Sequence, residues 1–152
     1  MAGLLKTFFF LFLSTKLICQ NITGEWIGQI YLLDKNGKYS ILFPIHFEIK
    51  HDSSTNIISG TNTTKSFDTV VVDCKIEGEY NPIKSLFTIL ETKVLSSNNP
   101  KALNLPVLNR FKVTYQREEE NLSGTCECVN PVVNPLCYQK LKVILKRYKE
   151  MK

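Results

Sequence analysis

The side chains that could act as acids, bases or nucleophiles are few in this sequence, and they are scattered. His46 and His51 are the two histidines, and no serine nucleophile elbow, phosphate-binding loop or paired-histidine zinc motif accompanies them. Glu25, Asp73 and Glu91 fall in strand-like segments, but the sequence gives no sign that two of these carboxyl groups meet at a glycosidase spacing. We therefore predict that the protein is not an enzyme, that it has no catalytic residues, and that both histidines lie at the surface.

The cysteines are the other group with distinctive chemistry. After an N-terminal leader the chain carries Cys74, Cys126, Cys128 and Cys137, and an even number in an exported protein suggests disulfides. Four cysteines allow three pairings. Cys126 and Cys128 lie two apart on one strand face and are not expected to bond each other. A bond from Cys137 to either would clamp the proline-containing hairpin at 129–136 and leave Cys74 for the other.

Each such disulfide would contribute about 2–4 kcal/mol to stability. A metal site is the alternative, because Cys126-x-Cys128 together with a third cysteine could serve as ligands. The spacing matches no standard zinc pattern, and export favours oxidised cysteines. The sequence therefore predicts no metal and no cofactor.

Residues 1–19 have the character of a signal peptide. Lys6 supplies the positive end, and the apolar segment 7–13 is too short to cross a bilayer. Cleavage after Cys19 would release a secreted protein, whereas cleavage before Cys19 would leave a cysteine for a lipid anchor, although the preceding residues match that signal poorly. We expect a secreted or cell-surface protein whose domain, residues 20–152, has no transmembrane span.

The composition is that of one ordinary globular domain. The 152 residues are 43% hydrophobic and 22% charged, and the formal charge of +5 falls to +3 without the leader. Basic residues do not cluster with aromatic ones, so nucleic acid is not an expected partner. Three segments, at Asn21, Asn62 and Asn121, fit the glycosylation pattern, which in a eukaryotic protein predicts surface loops.

A short unit, an aliphatic residue followed two positions later by glycine, occurs four times. It is found at residues 22–24, 58–60, 76–78 and 122–124. Glycine within a strand marks a bend, a bulge or a close backbone approach, and small barrels need such points in order to close. The unequal spacing excludes a solenoid or propeller.

Alternating hydrophobic residues define eight candidate strands joined mostly by short turns. The pattern is clearest at 39–50, where Ile41, Phe43 and Phe47 share one side and Pro44 predicts a bulge. The segment 83–95 could instead form a helix, but its threonines and β-branched residues favour a strand. The predicted strands span residues 22–33, 39–50, 55–64, 67–80, 83–95, 108–117, 122–129 and 139–148.

This order predicts an all-β fold, an antiparallel up-and-down eight-stranded barrel, with a two-sheet β-sandwich as the alternative. The segment Gly24-Glu25-Trp26 resembles the first strand of lipocalins and avidins. In lipocalins this tryptophan closes the barrel floor beneath an arginine of the last strand, and Arg147 lies where that arginine would fall. The resemblance concerns architecture, and it implies a small apolar ligand in the interior. The candidate ligand-binding residues are Trp26, Phe43, Phe47, Phe111, Tyr115 and Arg147.

Two functions remain open from the sequence. Either the barrel holds an apolar ligand, or its side chains fill it completely and the protein acts through its surface. In the second case the loop at 96–107 and the hairpin at 129–137 would carry recognition of a protein partner.

Overall fold

Each of the eight predicted strand segments forms a strand in the computed structural model, which describes residues 20–65, 69–100, 103, 109–129 and 141–149. The strands are β1 Gly24–Leu33, β2 Tyr39–Asp52, β3 Ile57–Lys65, β4 Val71–Asn81, β5 Leu86–Ser97, β6 Asn109–Gln116, β7 Asn121–Cys128 and β8 Leu141–Arg147. The predicted leader 1–19 lies outside the described residues.

The strands pair antiparallel in sequence order, and β8 returns to pair with β1, so the sheet closes into a barrel. The predicted up-and-down barrel is confirmed, and the sandwich alternative is wrong. β5 also settles the helix alternative for 83–95, because the segment from Leu86 is strand. Each strand therefore has two paired neighbours, although β5 and β6 pair only between Phe87–Leu90 and Arg110–Val113. The described residues include no helix with the length and hydrophobicity to cross a membrane.

The first hairpin shows how local chemistry sets the register. Asp34 Oδ1 accepts hydrogen bonds from the backbone N–H groups of Asn36 and Lys38, at 2.9 and 2.8 Å. Gly37 takes a positive φ of 76°, which glycine adopts without steric cost. The Asn36-Gly37 turn thus joins β1 to β2.

An irregularity in β2 changes which side chains face inward. Ile30 pairs with Phe43, but the next residue, Tyr31, pairs with Ile41, so Leu42 is an extra residue in β2. Leu42 and Phe43 both pack against the core, whereas Ile41 is 53% exposed. The prediction that Ile41 faces inward with Phe43 is therefore wrong. The irregularity was expected at Pro44, and it lies two residues earlier.

Two of the recurring glycines mark close backbone approaches. A Cβ atom on Gly60 would lie 1.9 Å from the carbonyl oxygen of Glu48, and one on Gly124 would lie 1.9 Å from that of Lys112. Gly60 also has a φ of +152°. Any side chain at these positions would push neighbouring strands apart, which agrees with the predicted architectural role.

The core lies on the barrel axis and is built from inward side chains of every strand. Phe47 and Phe111 meet edge to face, with ring centroids 5.0 Å apart. Burying each large apolar side chain contributes about 1.5–3 kcal/mol. The largest fully buried side chains are Trp26, Phe47, Phe87, Phe111, Ile22, Ile58, Ile76, Ile89, Leu122, Leu145, Val113 and Val143.

Candidate functional site

One end of the barrel is capped by the residues that carried the lipocalin resemblance. Trp26 Nε1 donates a hydrogen bond to the Ile22 carbonyl at 2.8 Å. The Arg147 guanidinium lies over the indole, its Cζ 4.7 Å from the ring centroid, and donates to the carbonyls of Thr23 and Asn21 at 3.3 and 3.1 Å. The predicted packing of Arg147 on Trp26 is confirmed. We call this region, Asn21 to Trp26 with Arg147, the capped end.

The six candidate ligand residues do not form one group. Tyr115 joins the capped end, with its ring edge-on to Trp26 at a centroid distance of 6.0 Å. Phe47 and Phe111 contact each other in the core, while Phe43 is only partly buried beside the β2 irregularity. Their contact with a ligand stays a prediction.

His51 lies next to the capped end, near the end of β2. The expectation of a surface position is wrong, because the side chain is only 6% exposed and meets Tyr80 and Phe87 at centroid distances of 5.8 and 5.6 Å. Neither ring nitrogen makes a hydrogen bond of normal geometry. Burial lowers the pKa of His51, although the Gln20 backbone and the Asp52 carboxylate act in the opposite direction. His51 is therefore held as a neutral ring.

A second buried ionisable group lies farther along the barrel. Glu91 is 2% exposed, and both of its carboxyl oxygens are hydrogen-bonded. Asn62 Nδ2 donates to Oε1 at 2.6 Å, and the backbone N–H and Nδ2 of Asn109 donate to Oε2 at 2.8 and 2.9 Å. We call Asn62, Glu91 and Asn109 the polar cluster.

The strands place these three residues together although they are distant in sequence. Glu91 follows Phe87 and Ile89 on the inward face of β5. Asn62 lies three residues before the end of β3, and Asn109 is the first residue of β6. The polar cluster therefore lies toward the end of the barrel opposite the capped end.

Sequence reasoning missed this cluster. Glu91 is in phase with two buried apolar residues, which is a usable signal, but both faces of β5 are partly apolar and obscured it. Asn62 belongs to a segment that fits the glycosylation pattern, which predicts a surface loop only in a eukaryotic protein. Neither Asn62 nor Asn121 lies in a surface loop, because both side chains are buried within strands.

Burial dominates the electrostatics of Glu91 and raises its pKa, while the hydrogen bonds from Asn62 and Asn109 oppose the rise. Among the described residues, no lysine, arginine or histidine forms an ion pair with Glu91. A carboxylate kept from water without a cation costs several kcal/mol unless other groups compensate it.

Asn62 carries an additional cost. Its side chain is 1% exposed, and no residue that the structure describes donates a hydrogen bond to its Oδ1. Turning the amide over would not help, because Nδ2 would then occupy the position that has no partner. A buried polar atom left unpaired costs about 1–3 kcal/mol. The polar cluster thus contains an acceptor that folding alone does not use.

The thiols of Cys74 and Cys126 lie near enough to Glu91 for its charge to influence their pKa values. Burial, with a smaller contribution from Glu91, raises the pKa of Cys74 to about 12 and raises that of Cys126 as well. Both thiols are free, so the predicted disulfides involving them are wrong. The reason is topological: β4, which holds Cys74, and β7, which holds Cys126, are separated by β5 and β6. Buried neutral thiols of this kind are unreactive.

The two remaining cysteines, Cys128 and Cys137, differ from these free thiols. Cys128 is not a free thiol, and Cys137 lies outside the described residues, so a bond between them stays a prediction. Within the ranges that the structure describes, no three or more His, Cys, Asp or Glu side chains are grouped so that they could hold a metal ion.

Comparison with known proteins adds little to this geometry. No family model matches the chain, and no curated protein matches it. Among solved structures, the chain is similar to the crystal structure of Rv2717c from M. tuberculosis, with 10% sequence identity, a TM-score of 0.40, and coverage of 84% of this chain and 92% of that chain. A similarity at this level supports no inference about family or function. The fold itself defines the class: a closed eight-stranded antiparallel β-barrel.

Proposed function

We propose that the protein binds a small, largely apolar ligand inside the barrel, and that the ligand enters from the end opposite the capped end. The observation that carries this proposal is the uneven burial of the interior. Leu32, Leu42 and Phe43 pack against the core but keep part of their surface accessible. These side chains lie toward the end at which β1 leads into β2.

The capped end is unsuitable for a ligand. Trp26, which closes this end, has a side chain with no accessible surface. The Arg147 guanidinium and the 20–23 segment cover this end. Any ligand must therefore lie nearer the opposite end.

The make-up of that region also suits a ligand. Small-molecule sites are mostly apolar with a few placed polar groups. Apolar side chains such as Phe43 and Ile45 share the interior with the polar cluster. The proposal extends to export: a barrel secreted through the predicted signal 1–19 would carry its ligand outside the cell.

Binding can be tested with an apolar fluorescent probe, N-phenyl-1-naphthylamine. We expect saturable enhancement with the wild-type protein. Phe43→Trp should reduce the affinity about tenfold or more by filling the interior near the irregularity. Ile41→Trp is the matched control, since Ile41 lies two residues away but faces outward, and its affinity should be unchanged. Absence of saturable binding, or equal loss in both variants, would overturn the proposal.

The export part has its own test. Mass spectrometry of the secreted protein should find a mature terminus at residue 20, or at a lipid-modified Cys19. Retention of residues 1–19 in the exported product would contradict it. The alternative of a protein-interaction module rests on the loops 96–107 and 129–137, most of which lie outside the described residues, so it stays a prediction.

A further inference from the structure

We propose that the polar cluster recognises the head group of the ligand, and that this head group is a protonated primary amine on an apolar chain. The inference rests on the proposed function and adds to it the chemistry of the ligand. It follows from which hydrogen-bonding positions of Asn62 and Glu91 are used and which are not.

The first step concerns acceptors and donors. Asn62 Oδ1 is a buried acceptor without a partner among the described residues. Glu91 Oε1 accepts one described hydrogen bond, from Asn62 Nδ2, although a carboxylate oxygen can accept two. The second N–H of Asn62 Nδ2 also has no described partner, but two unused positions at the 2.6 Å contact, Asn62 Oδ1 and a lone pair of Glu91 Oε1, are acceptors. A ligand group that binds there must donate, and an ammonium carries three donors on one nitrogen.

The second step concerns charge. No described cation pairs with Glu91, whose carboxyl group is buried among apolar strands. An ammonium would provide the missing opposite charge as well as hydrogen bonds, and charge-assisted bonds are the stronger kind. A hydroxyl would provide a bond without charge. A carboxylate would bring a like charge into the same place and should be rejected.

The third step concerns the neighbouring titratable groups. Burial keeps the Cys74 and Cys126 thiols neutral, and it raises the pKa of Cys74 to about 12. Neither is therefore a thiolate that could pair with the ammonium in place of Glu91. Asp73 lies one residue from Cys74, but its carboxylate is engaged by the hydroxyls of Thr63 and Ser96. Glu91 is thus the described acidic group directed to this site.

The surroundings fit the apolar part of such a ligand. In the sheet register, Asn62 lies opposite Phe47 on one side and Cys74 on the other. The inward positions on both neighbouring strands are therefore apolar. An alkyl chain whose amine reaches Asn62 would extend among apolar side chains toward Leu32 and Phe43.

The test compares three probes that share one chain and differ in the head: octylamine, 1-octanol and octanoate. Isothermal titration of the full-length protein should show octylamine binding about tenfold or more tightly than 1-octanol, with octanoate the weakest. Glu91→Gln should abolish the preference for the amine over 1-octanol. Glu79→Gln, an exposed carboxylate on β4, is the matched control and should keep the preference.

A second readout separates recognition from a purely structural role. Burial raises the pKa of Glu91, so binding of an ammonium should release a proton from the fraction that is protonated. Titrations at several pH values above 4.5, in buffers of different ionisation enthalpy, would measure that release. It should be present for octylamine with the wild-type protein and absent with Glu91→Gln. Asn62→Leu should weaken octylamine binding, because it removes one of the two acceptors.

The outcomes distinguish the two proposals. If none of the three probes binds, the proposed function fails, and this inference fails with it. If the probes bind but octanoate equals or exceeds octylamine, or if the preference survives Glu91→Gln, this inference alone is overturned. The ranking of the three head groups by the wild-type protein decides the matter even where a variant does not fold.

Discussion

The barrel buries two ionisable side chains, His51 beside the capped end and Glu91 in the polar cluster, and the two are held differently. Glu91 accepts three hydrogen bonds from Asn62 and Asn109, whereas His51 is packed against the rings of Tyr80 and Phe87. His51 therefore behaves as a packing element. The hydrogen bonds donated to Glu91 stabilise its charged form, and a charged carboxylate is the partner that the proposed ammonium ligand needs.

Burial favours the neutral form of both groups, but the consequences for stability have opposite signs. The pKa of Glu91 is raised from 4.5, so its contribution is full below pH 4.5 and is lost as the pH rises through the folded-state value. The pKa of His51 is lowered from 6.5, so its contribution is present above pH 6.5 and is lost as the pH falls through the folded-state value. Falling pH therefore destabilises the region around His51, and rising pH destabilises the polar cluster.

The sharpest test of the contrast is the removal of a packed ring from the capped end. Trp26→Ala should reduce the free energy of unfolding by about 3–5 kcal/mol, because it leaves a cavity and removes the surface on which Arg147 lies. Ile27→Ala, an outward neighbour, should cost about 0.5 kcal/mol or less. Urea unfolding would measure both. Similar losses in the two variants would mean that the capped end is not tightly packed.

Removing the charge from the polar cluster should increase the free energy of unfolding at high pH, whereas Trp26→Ala decreases it. As the pH rises from about 4, Glu91→Gln should gain roughly 1–3 kcal/mol of unfolding free energy relative to the wild-type protein, because the wild-type carboxyl group must then ionise while buried. The gain should vanish near pH 4, where Glu91 is protonated. Thermal unfolding across this pH range would measure it. A Glu91→Gln protein that is less stable at pH 8 would show that the carboxylate supports the fold.

The cation over the indole can be examined separately. Arg147→Met should cost about 0.5–2 kcal/mol, since it removes the contact with Trp26 and the bonds to Thr23 and Asn21. Lys146→Met, an exposed neighbour on β8, is the control and should leave stability nearly unchanged. Equal unfolding midpoints for both variants would remove Arg147 from the description of the cap.

The smallest expected effect concerns His51. His51→Phe keeps an aromatic ring between Tyr80 and Phe87 and removes the titration, so the stability lost by the wild-type protein between pH 7.5 and pH 5 should shrink, by on the order of 1 kcal/mol. An unchanged slope in His51→Phe would assign the acid sensitivity to other groups.

The sequence predicts the architecture better than the site. Alternation along β2 and the Asn36-Gly37 turn report local geometry, and local geometry is enough to count strands and close them. The extra residue at Leu42 is not visible in that alternation, and it turns Ile41 outward. The pairing of Trp26 with Arg147 could be predicted because it depends on position along two strands.

The polar cluster could not be predicted, because it depends on tertiary structure. Asn62 and Glu91 belong to strands separated by β4, and their 2.6 Å contact forms across the barrel interior. No local pattern reports such a contact. The disulfide prediction for Cys74 and Cys126 was wrong for a similar reason. Exported chains favour disulfides, but the topology places these two cysteines on strands that are not neighbours.

The pairing of β1 with β8 has a consequence for how the chain folds. The seam that completes the barrel joins Trp26 to Arg147, and the guanidinium also holds the carbonyls of Asn21 and Thr23. Contacts between such distant segments form late and slow the folding reaction. During synthesis, Trp26 stays uncovered until β8 has left the ribosome. The chain therefore passes through a stage in which it is vulnerable to aggregation.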